Sequence, residues 1–220
     1  MTLAHHPRAE TLAALAAGSL PPGPSLILST HLAGCPACRD ALRVCEAVGG
    51  AVLDALEPSV ATPDLFARTL ARIDAAASQA APQSRQLNPR RPPPADIAGM
   101  PAPLLHCDIG PWRFVQPGFR VSRVRIPEAP EANVLLLKIA PGMQMPQHGH
   151  AGVEYTQVLK GAFSDAGGRY GPGDCVEADE DLEHVPVAEL GSECICLAAI
   201  EGRLRLHSRL ARMIQPLFGF

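Results

Sequence analysis

The sequence predicts an α+β protein in two domains, an all-α domain followed by an all-β domain. Up to about residue 80, apolar residues recur at the 3.6-residue spacing of helices. From about residue 104, short runs of strand-forming residues alternate with turn residues, which is typical of a barrel or jelly roll. The stretch 82–103 holds seven prolines and predicts a linker. We therefore divide the chain into 1–81, 82–103 and 104–220.

Composition restricts the possible functions. The chain has 220 residues, a net charge of −3 and 47% apolar residues, so it lacks the basic excess that sequence-independent nucleic-acid binding requires. No apolar run is long enough to span a membrane, and the N-terminus lacks a signal-peptide pattern. We expect a cytoplasmic protein that binds neither nucleic acid nor membrane directly. Seven irregularly spaced cysteines favour reduced thiols over a disulfide framework.

The first three predicted helices lie between residues 10 and 56. The first is Glu10–Ala17, which Gly18 and Ser19 interrupt. A proline-rich turn at 21–24 leads into the second, which carries His31. The third runs from Pro36 to about Leu56, with Gly49 and Gly50 as a weak point.

A fourth helix is predicted after Thr62 and Pro63, which form a strong helix start. Its apolar stripe consists of Leu65, Phe66, Thr69, Leu70 and Ile73. We expect this stripe to pack on the first three helices. The alternative is that it contacts a partner protein.

The pattern His31-x3-Cys35-x2-Cys38 predicts a structural zinc site. On one helix these three residues would lie within about 60° of one another. Gly34 and Pro36 indicate instead that one helix ends and another begins at Cys35. A thiol near a helix N-terminus ionises more easily, which favours metal binding.

A tetrahedral zinc site needs a fourth ligand. The pair His5 and His6 is one source, and Cys45 is the alternative. Two other interpretations of Cys35 and Cys38 remain open. They are a thioredoxin-like redox pair, which needs a preceding strand, and two free cysteines in a helical core.

The C-terminal half contains six predicted strands separated by turn residues. The strands are Phe119–Ile126, Ala132–Ala140, Val153–Leu159, Ala162–Ser164, Cys175–Ala178 and Cys194–Ile200. The turns are Pro141-Gly142, Gly167-Gly168 and Pro172-Gly173-Asp174. The segment Leu204–Phe220 is too apolar for a free tail, and we expect it to pack on a domain.

A second metal pattern lies among these strands. His148 and His150 share one face of a strand, and Glu154 can join them if Ala151 and Gly152 bend the chain. His184 is the expected distant ligand. Residue types do not decide between zinc, iron, manganese and nickel, and a barrel without an ion is the alternative.

Cys194 and Cys196 share a strand face. They could be redox-active or contact the metal, but we favour packing in the core.

These motifs together resemble the ChrR-type anti-sigma factors of bacteria. The glycine-bracketed His148-x-His150-x3-Glu154 and the later His184 resemble the cupin signature, although Asp179-Glu180-Asp181 replaces the usual Pro-x-Gly. The N-terminal His/Cys pattern resembles the zinc-binding anti-sigma domain, and both occur here in the family's order.

The resemblance implies ligands and a function. Zinc would be held by His6, His31, Cys35 and Cys38 in the helical domain and by His148, His150, Glu154 and His184 in the cupin domain. The helical domain would bind and inhibit an extracytoplasmic-function sigma factor. The cupin would control release during photo-oxidative stress, through singlet oxygen or organic hydroperoxides. This predicts a regulator and not an enzyme. The alternative is a cupin metallo-oxygenase with an accessory zinc domain, and a thiol redox protein is a weaker third interpretation.

Overall fold

The computed structural model describes residues 3–79, 97, 99–202 and 204–206. Its four α-helices are α1 (Ala9–Ala16), α2 (Pro22–Gly34), α3 (Pro36–Asp54) and α4 (Leu65–Gln79). They confirm the all-α N-terminal half. Cys35 is both the C-cap residue of α2 and the N-cap residue of α3. Pro36 occupies the first turn of α3, as predicted.

The C-terminal half is all-β, as predicted. A short 3₁₀ helix at Ala102–His106 precedes it. The strands are β1 (Asp108–Ile109), β2 (Arg113–Gln116), β3 (Phe119–Ile126), β4 (Ala129–Ile139), β5 (His148–His150), β6 (Glu154–Lys160), β7 (Phe163–Asp165), β8 (Gly168–Tyr170), β9 (Cys175–Ala178), β10 (Val187–Ala188), β11 (Cys194–Ile200) and β12 (Leu204–Leu206). Three of the predicted runs coincide with β3, β9 and β11. The short strands β1, β2, β8, β10 and β12 were not predicted. Each has only two to four residues, which is too short for a pattern of alternating apolar and polar residues to be recognised.

The strands form three antiparallel sheets. The largest has the order β1-β3-β4-β11-β6-β9, with β2 also paired to β3. A three-stranded sheet, β10-β7-β8, and the pair β12-β5 complete the described part of the barrel. The turn before β8 lies at Ala166 and Gly167, one residue earlier than predicted. Residues 207–220 and most of the Pro-rich segment lie outside the described residues, so the predicted packing of the C-terminal segment stays a prediction.

Helix α2 packs directly on the outer face of the large sheet. Ile27 and Leu28 are fully buried there, and Leu136, Ile195 and Leu197 of the sheet belong to the same apolar cluster. Full burial of one such side chain contributes about 1.5–3 kcal/mol. The helical and β halves therefore share a hydrophobic core. A second cluster, which includes Phe119, Val158 and Phe163, lies inside the barrel.

Helix α4 does not pack on the first three helices, which corrects our expectation. Leu65, Phe66, Leu70 and Ile73 are 45–75% exposed. The described parts of the chain contain no helix or strand that packs extensively on α4. Helix α2 buries its apolar side chains on the sheet, whereas α3 and α4 each leave a row of apolar side chains exposed to solvent. Among the described helices, none is both long and apolar enough to cross a membrane.

Candidate metal centres

The first candidate metal centre consists of His6, His31, Cys35 and Cys38. Their ligand atoms all lie within 4.8 Å of one another, and this group can hold a metal ion. The His31 Nε2 atom lies 3.3 Å from Cys38 Sγ. The His6 Nδ1 atom lies 3.4 Å from Cys35 Sγ and 3.3 Å from Cys38 Sγ. Ligands at tetrahedral zinc bond lengths lie about 3.3–3.8 Å apart, so the cluster fits zinc.

Each ligand has a distinct origin in the sequence. His31 lies in the last turn of α2, Cys35 lies at the joint, and Cys38 lies in the first turn of α3. His6 comes from the extended segment before α1. The Cys35 Sγ atom also accepts a hydrogen bond from the Cys38 backbone N–H at 3.4 Å. Cys35 therefore belongs both to the N-terminal cap of α3 and to the candidate metal site.

Burial shifts the pKa of two residues in this cluster, His31 and Cys38. It lowers the pKa of His31, which favours the neutral imidazole that a metal requires. It also raises the pKa of Cys38 to about 12, with further contributions from the hydrogen bond and charge of Cys35. This differs from our expectation that the helix N-terminus eases ionisation, because desolvation is the larger effect. A bound cation must therefore displace the proton from the thiol.

The structure decides between the alternatives for this site. Helix α2 and not a strand precedes Cys35, so the βαβ frame of a thioredoxin-like pair is missing. The ligand cluster includes His6 and not Cys45, the alternative fourth ligand. His31, Cys35 and Cys38 are buried, and with His6 they form a group that could hold a metal ion.

The second constellation brings His148 and His184 together inside the barrel. Their backbones form an isolated bridge, and their Nε2 atoms lie 3.1 Å apart. Two imidazole nitrogens that converge in this way can act as ligands of one cation. Adjacent ligand atoms that each bind a metal at about 2.1 Å lie about 3.0–3.4 Å apart, which matches this distance.

Hydrogen bonds fix how both rings are oriented. The Nδ1–H group of His148 donates to the carbonyl of Pro146 at 2.8 Å. The Nδ1–H group of His184 donates to Asp165 Oδ2 at 2.9 Å. These partners orient the two rings so that their Nε2 atoms face each other. Burial lowers the pKa of His148 and favours its neutral form. Asp165 was not identified from the sequence, because a single aspartate carries no spacing signal.

Glu154 faces the same space as the two histidines. It is 9% exposed, and its Oε1 atom accepts a hydrogen bond from Thr156 at 2.7 Å. Ala151 and Gly152 form the predicted bend, and a Cβ at Gly152 would lie 2.1 Å from the Glu201 carbonyl oxygen. His150 lies on β5, but its side chain is outside the described part of the structure. Among the described side chains, only the first cluster brings three or more ligand atoms together.

A cavity of about 110 Å³ adjoins His148, Glu154 and His184. Its other walls are mainly apolar and include Phe119, Leu135, Leu137, Ile139, Phe163 and Val176. Cys196 also lines the cavity, and its Sγ atom lies 3.6 Å from Cys194 Sγ. Both cysteines are buried in the barrel core, as we favoured. The site combines metal-type ligands with room for a small apolar molecule.

The fold and these sites define a class: a helical His/Cys metal site docked on a cupin-type barrel. The family described as the ChrR cupin-like domain matches residues 102–201. The anti-sigma-E factor ChrR of Cereibacter sphaeroides is 40% identical over 219 residues, which cover 99% of each chain. The chain belongs to the ChrR family of anti-sigma factors.

The structural comparison agrees with this assignment. The crystal structure of Rhodobacter sphaeroides SigE in complex with the anti-sigma ChrR matches with a TM-score of 0.69 and 37% identity. The match covers 91% of this chain and 100% of that chain. The similarity therefore extends over both halves of the molecule and is not confined to the barrel.

Proposed function

We propose that this chain is an anti-sigma factor that binds and inhibits an extracytoplasmic-function sigma factor through its N-terminal zinc domain. The observation that carries the proposal is a set of exposed apolar side chains on α3, just after α3 and on α4, which we call the α3–α4 face. It consists of Val44, Val48, Val52, Leu53 and Leu56 with Leu65, Phe66, Leu70 and Ile73. A related chain in this family is described in complex with the sigma factor SigE.

The α3–α4 face is too large to be incidental. Its nine side chains are 45–75% exposed, and full burial of each would contribute about 1.5–3 kcal/mol. Large exposed apolar surfaces of this kind mark interaction sites. A protein partner with an apolar surface would cover them, whereas nucleic acid would require a basic face.

In this proposal the zinc cluster supports the α3–α4 face. We assign the first zinc to His6, His31, Cys35 and Cys38, where it fixes the joint between α2 and α3. The domain division at 1–81, 82–103 and 104–220 is part of the proposal. It takes support from the change from helices to strands.

The barrel has a different role in the proposal. We assign it a second zinc ion at His148, His150, Glu154 and His184, and control of release during photo-oxidative stress such as singlet oxygen or organic hydroperoxides. The converging imidazoles and the adjoining cavity support a site that responds to a small molecule. Membership of a family of anti-sigma factors favours this regulator over the metallo-oxygenase.

Co-purification from the native cell tests the proposal. The tagged full chain should capture a sigma factor, identified by mass spectrometry, and should inhibit transcription by RNA polymerase with that factor. Val48→Asp and Phe66→Asp should weaken capture by about 30-fold or more each, the effect of losing an interface anchor of at least 2 kcal/mol.

Arg43→Glu is the matched control for this experiment. Arg43 is exposed and lies about 140° around α3 from Val48. Its substitution should leave capture unchanged. Full capture by the Val48→Asp and Phe66→Asp variants would refute the assignment of the α3–α4 face.

A further inference from the structure

The segment before α1 is fastened to the barrel at the turn before β9. Asp174 Oδ1 accepts hydrogen bonds from the backbone N–H groups of Ala4 at 2.8 Å and His5 at 3.1 Å. The Cys175 N–H donates to the His5 carbonyl at 3.2 Å. His6, a ligand of the first metal centre, follows directly. Its backbone is therefore positioned by the barrel and not by the helices.

The same turn also contacts a second ligand. His31 Nδ1–H donates to the Gly173 carbonyl oxygen at 2.9 Å, which leaves Nε2 for the metal. A partner on the second ring nitrogen fixes the tautomer and orientation of a ligating histidine. Two of the four ligands in the N-terminal cluster thus depend on one turn of the C-terminal half.

The turn is built to hold this geometry. Asp174 Oδ2 accepts the Gly171 N–H at 2.9 Å, and the Asp174 N–H donates to the Gly171 carbonyl at 3.0 Å. Gly173 has φ +92°, which disfavours any side chain, and a Cβ there would lie 2.6 Å from Leu3. Burial opposes ionisation of Asp174, but the N–H groups of Gly171, His5 and Ala4 outweigh it and lower its pKa.

Strand β9, which follows the turn, has one face toward the barrel cavity and the other toward the start of α1. Val176 and Ala178 line the barrel cavity beside the histidines. Glu177, on the opposite face, accepts the Arg8 N–H and the Thr11 hydroxyl, each at 2.9 Å. Alternate residues of one strand therefore contact the barrel site and the start of α1.

We propose that the turn Gly171–Cys175 positions His6 and His31, so that the N-terminal metal centre is completed by the barrel. Asp174 is the positioning residue, and the turn is where the barrel acts on the helical domain. This regulatory role rests on the proposed anti-sigma function, whereas the positioning itself does not. Displacement of the turn would loosen two metal ligands and, through the joint between α2 and α3, the support of the α3–α4 face.

The test uses the full chain loaded with cobalt(II). Thiolate-to-cobalt absorption reports the Cys35 and Cys38 site, and its loss is followed after an excess of a chelator is added. Asp174→Ala should release the metal about 10–100-fold faster than wild type, the usual cost of removing an outer-sphere partner. Asp179→Ala is the matched control, because Asp179 forms an exposed ion pair with Arg8 at the same interface. It should release cobalt at the wild-type rate.

Two further measurements separate positioning from general stability. Asp174→Asn keeps one acceptor oxygen and should release the metal at a rate between those of wild type and Asp174→Ala. If Asp174→Ala fails to fold, Asp174→Asn should still release the metal faster than wild type. Thermal unfolding of the metal-free chains gives the stability effect alone. Unchanged release from Asp174→Asn and Asp174→Ala, or a lowered melting temperature with unchanged release, would overturn the inference. Because no sigma factor is present, neither result depends on the anti-sigma function.

Discussion

Asp165 holds His184 by a buried hydrogen bond. The Oδ2 atom of Asp165 accepts the Nδ1–H of His184 at 2.9 Å, and the two side chains are 4% and 8% exposed. Asp165 Oδ1 is itself anchored by the Gly167 backbone N–H at 2.8 Å. This carboxylate–histidine pair directs Nε2 of His184 toward His148, and such pairs raise the basicity of a metal ligand.

Asp165→Ala should therefore weaken metal binding in the barrel by about 10–100-fold. The ring of His184 would lose its orienting partner, although both Nε2 ligands would still be present. Competition with a chelator of known affinity, monitored by elemental analysis, measures the effect. Asp165→Asn keeps an acceptor oxygen and should fall between wild type and Asp165→Ala.

Glu189→Ala provides the control for this prediction. Glu189 forms an exposed ion pair with Arg169 outside the barrel cavity, and pairs of this kind contribute little. The substitution should leave metal binding unchanged. If Asp165→Ala binds the barrel metal as wild type does, His184 needs no orienting carboxylate.

Cys38→Ser should remove the first zinc and loosen the joint between α2 and α3. Structural zinc contributes about 10–16 kcal/mol of apparent binding free energy, so its loss should also abolish partner capture. Zinc content per chain and capture of the sigma factor are the two measurements. The full chain should lose one zinc equivalent.

Cys45→Ser is the matched control on the same helix. Cys45 is a half-buried free cysteine one heptad beyond Cys38 and outside the ligand cluster. It should keep both zinc content and capture. Loss of zinc from Cys45→Ser would restore Cys45 as the alternative fourth ligand, whereas retention of zinc in Cys38→Ser would refute the site itself.

A fragment ending at Ala81 should still capture the sigma factor when zinc is supplied. The α3–α4 face is exposed to solvent and lies outside the core that α2 shares with the sheet. The fragment should nevertheless release zinc faster than the full chain, because it lacks Gly173 and Asp174. It should also aggregate more readily, since Ile27 and Leu28 lose their cover. Failure of the zinc-loaded fragment to bind would show that the barrel contributes to inhibition.

Local signals in the sequence predicted most of the fold. Gly34 and Pro36 predicted the helix boundary at Cys35, because their backbone preferences act within one turn. Turn residues and apolar runs predicted the longer strands. The spacing of His31, Cys35 and Cys38 predicted that these side chains converge, and His6, which joins them, was one of two open alternatives for the fourth position.

Long-range contacts could not be predicted in the same way. The hydrogen bonds of Asp174 to Ala4 and His5 join residues about 170 positions apart, and no periodicity records them. Asp165 is likewise an isolated carboxylate in sequence. The exposure of α4 was missed for another reason, because an amphipathic stripe looks the same whether its partner is the same chain or another protein.

The last prediction separates release from inhibition. If the barrel controls release, its metal ligands bias an equilibrium between bound and released states, while the α3–α4 face still holds the partner. His184→Ala should therefore inhibit the sigma factor normally but fail to release it under light with a photosensitiser. Moving a population from 1:99 to 99:1 requires roughly 5.5 kcal/mol. A metal site can supply that, whereas one hydrogen bond contributes about 1 kcal/mol.

A reporter gene driven by the sigma factor measures induction, with exposed His106→Ala as the control. Normal induction in His184→Ala would refute the sensor role, and turnover of a small molecule by the protein would favour the oxygenase.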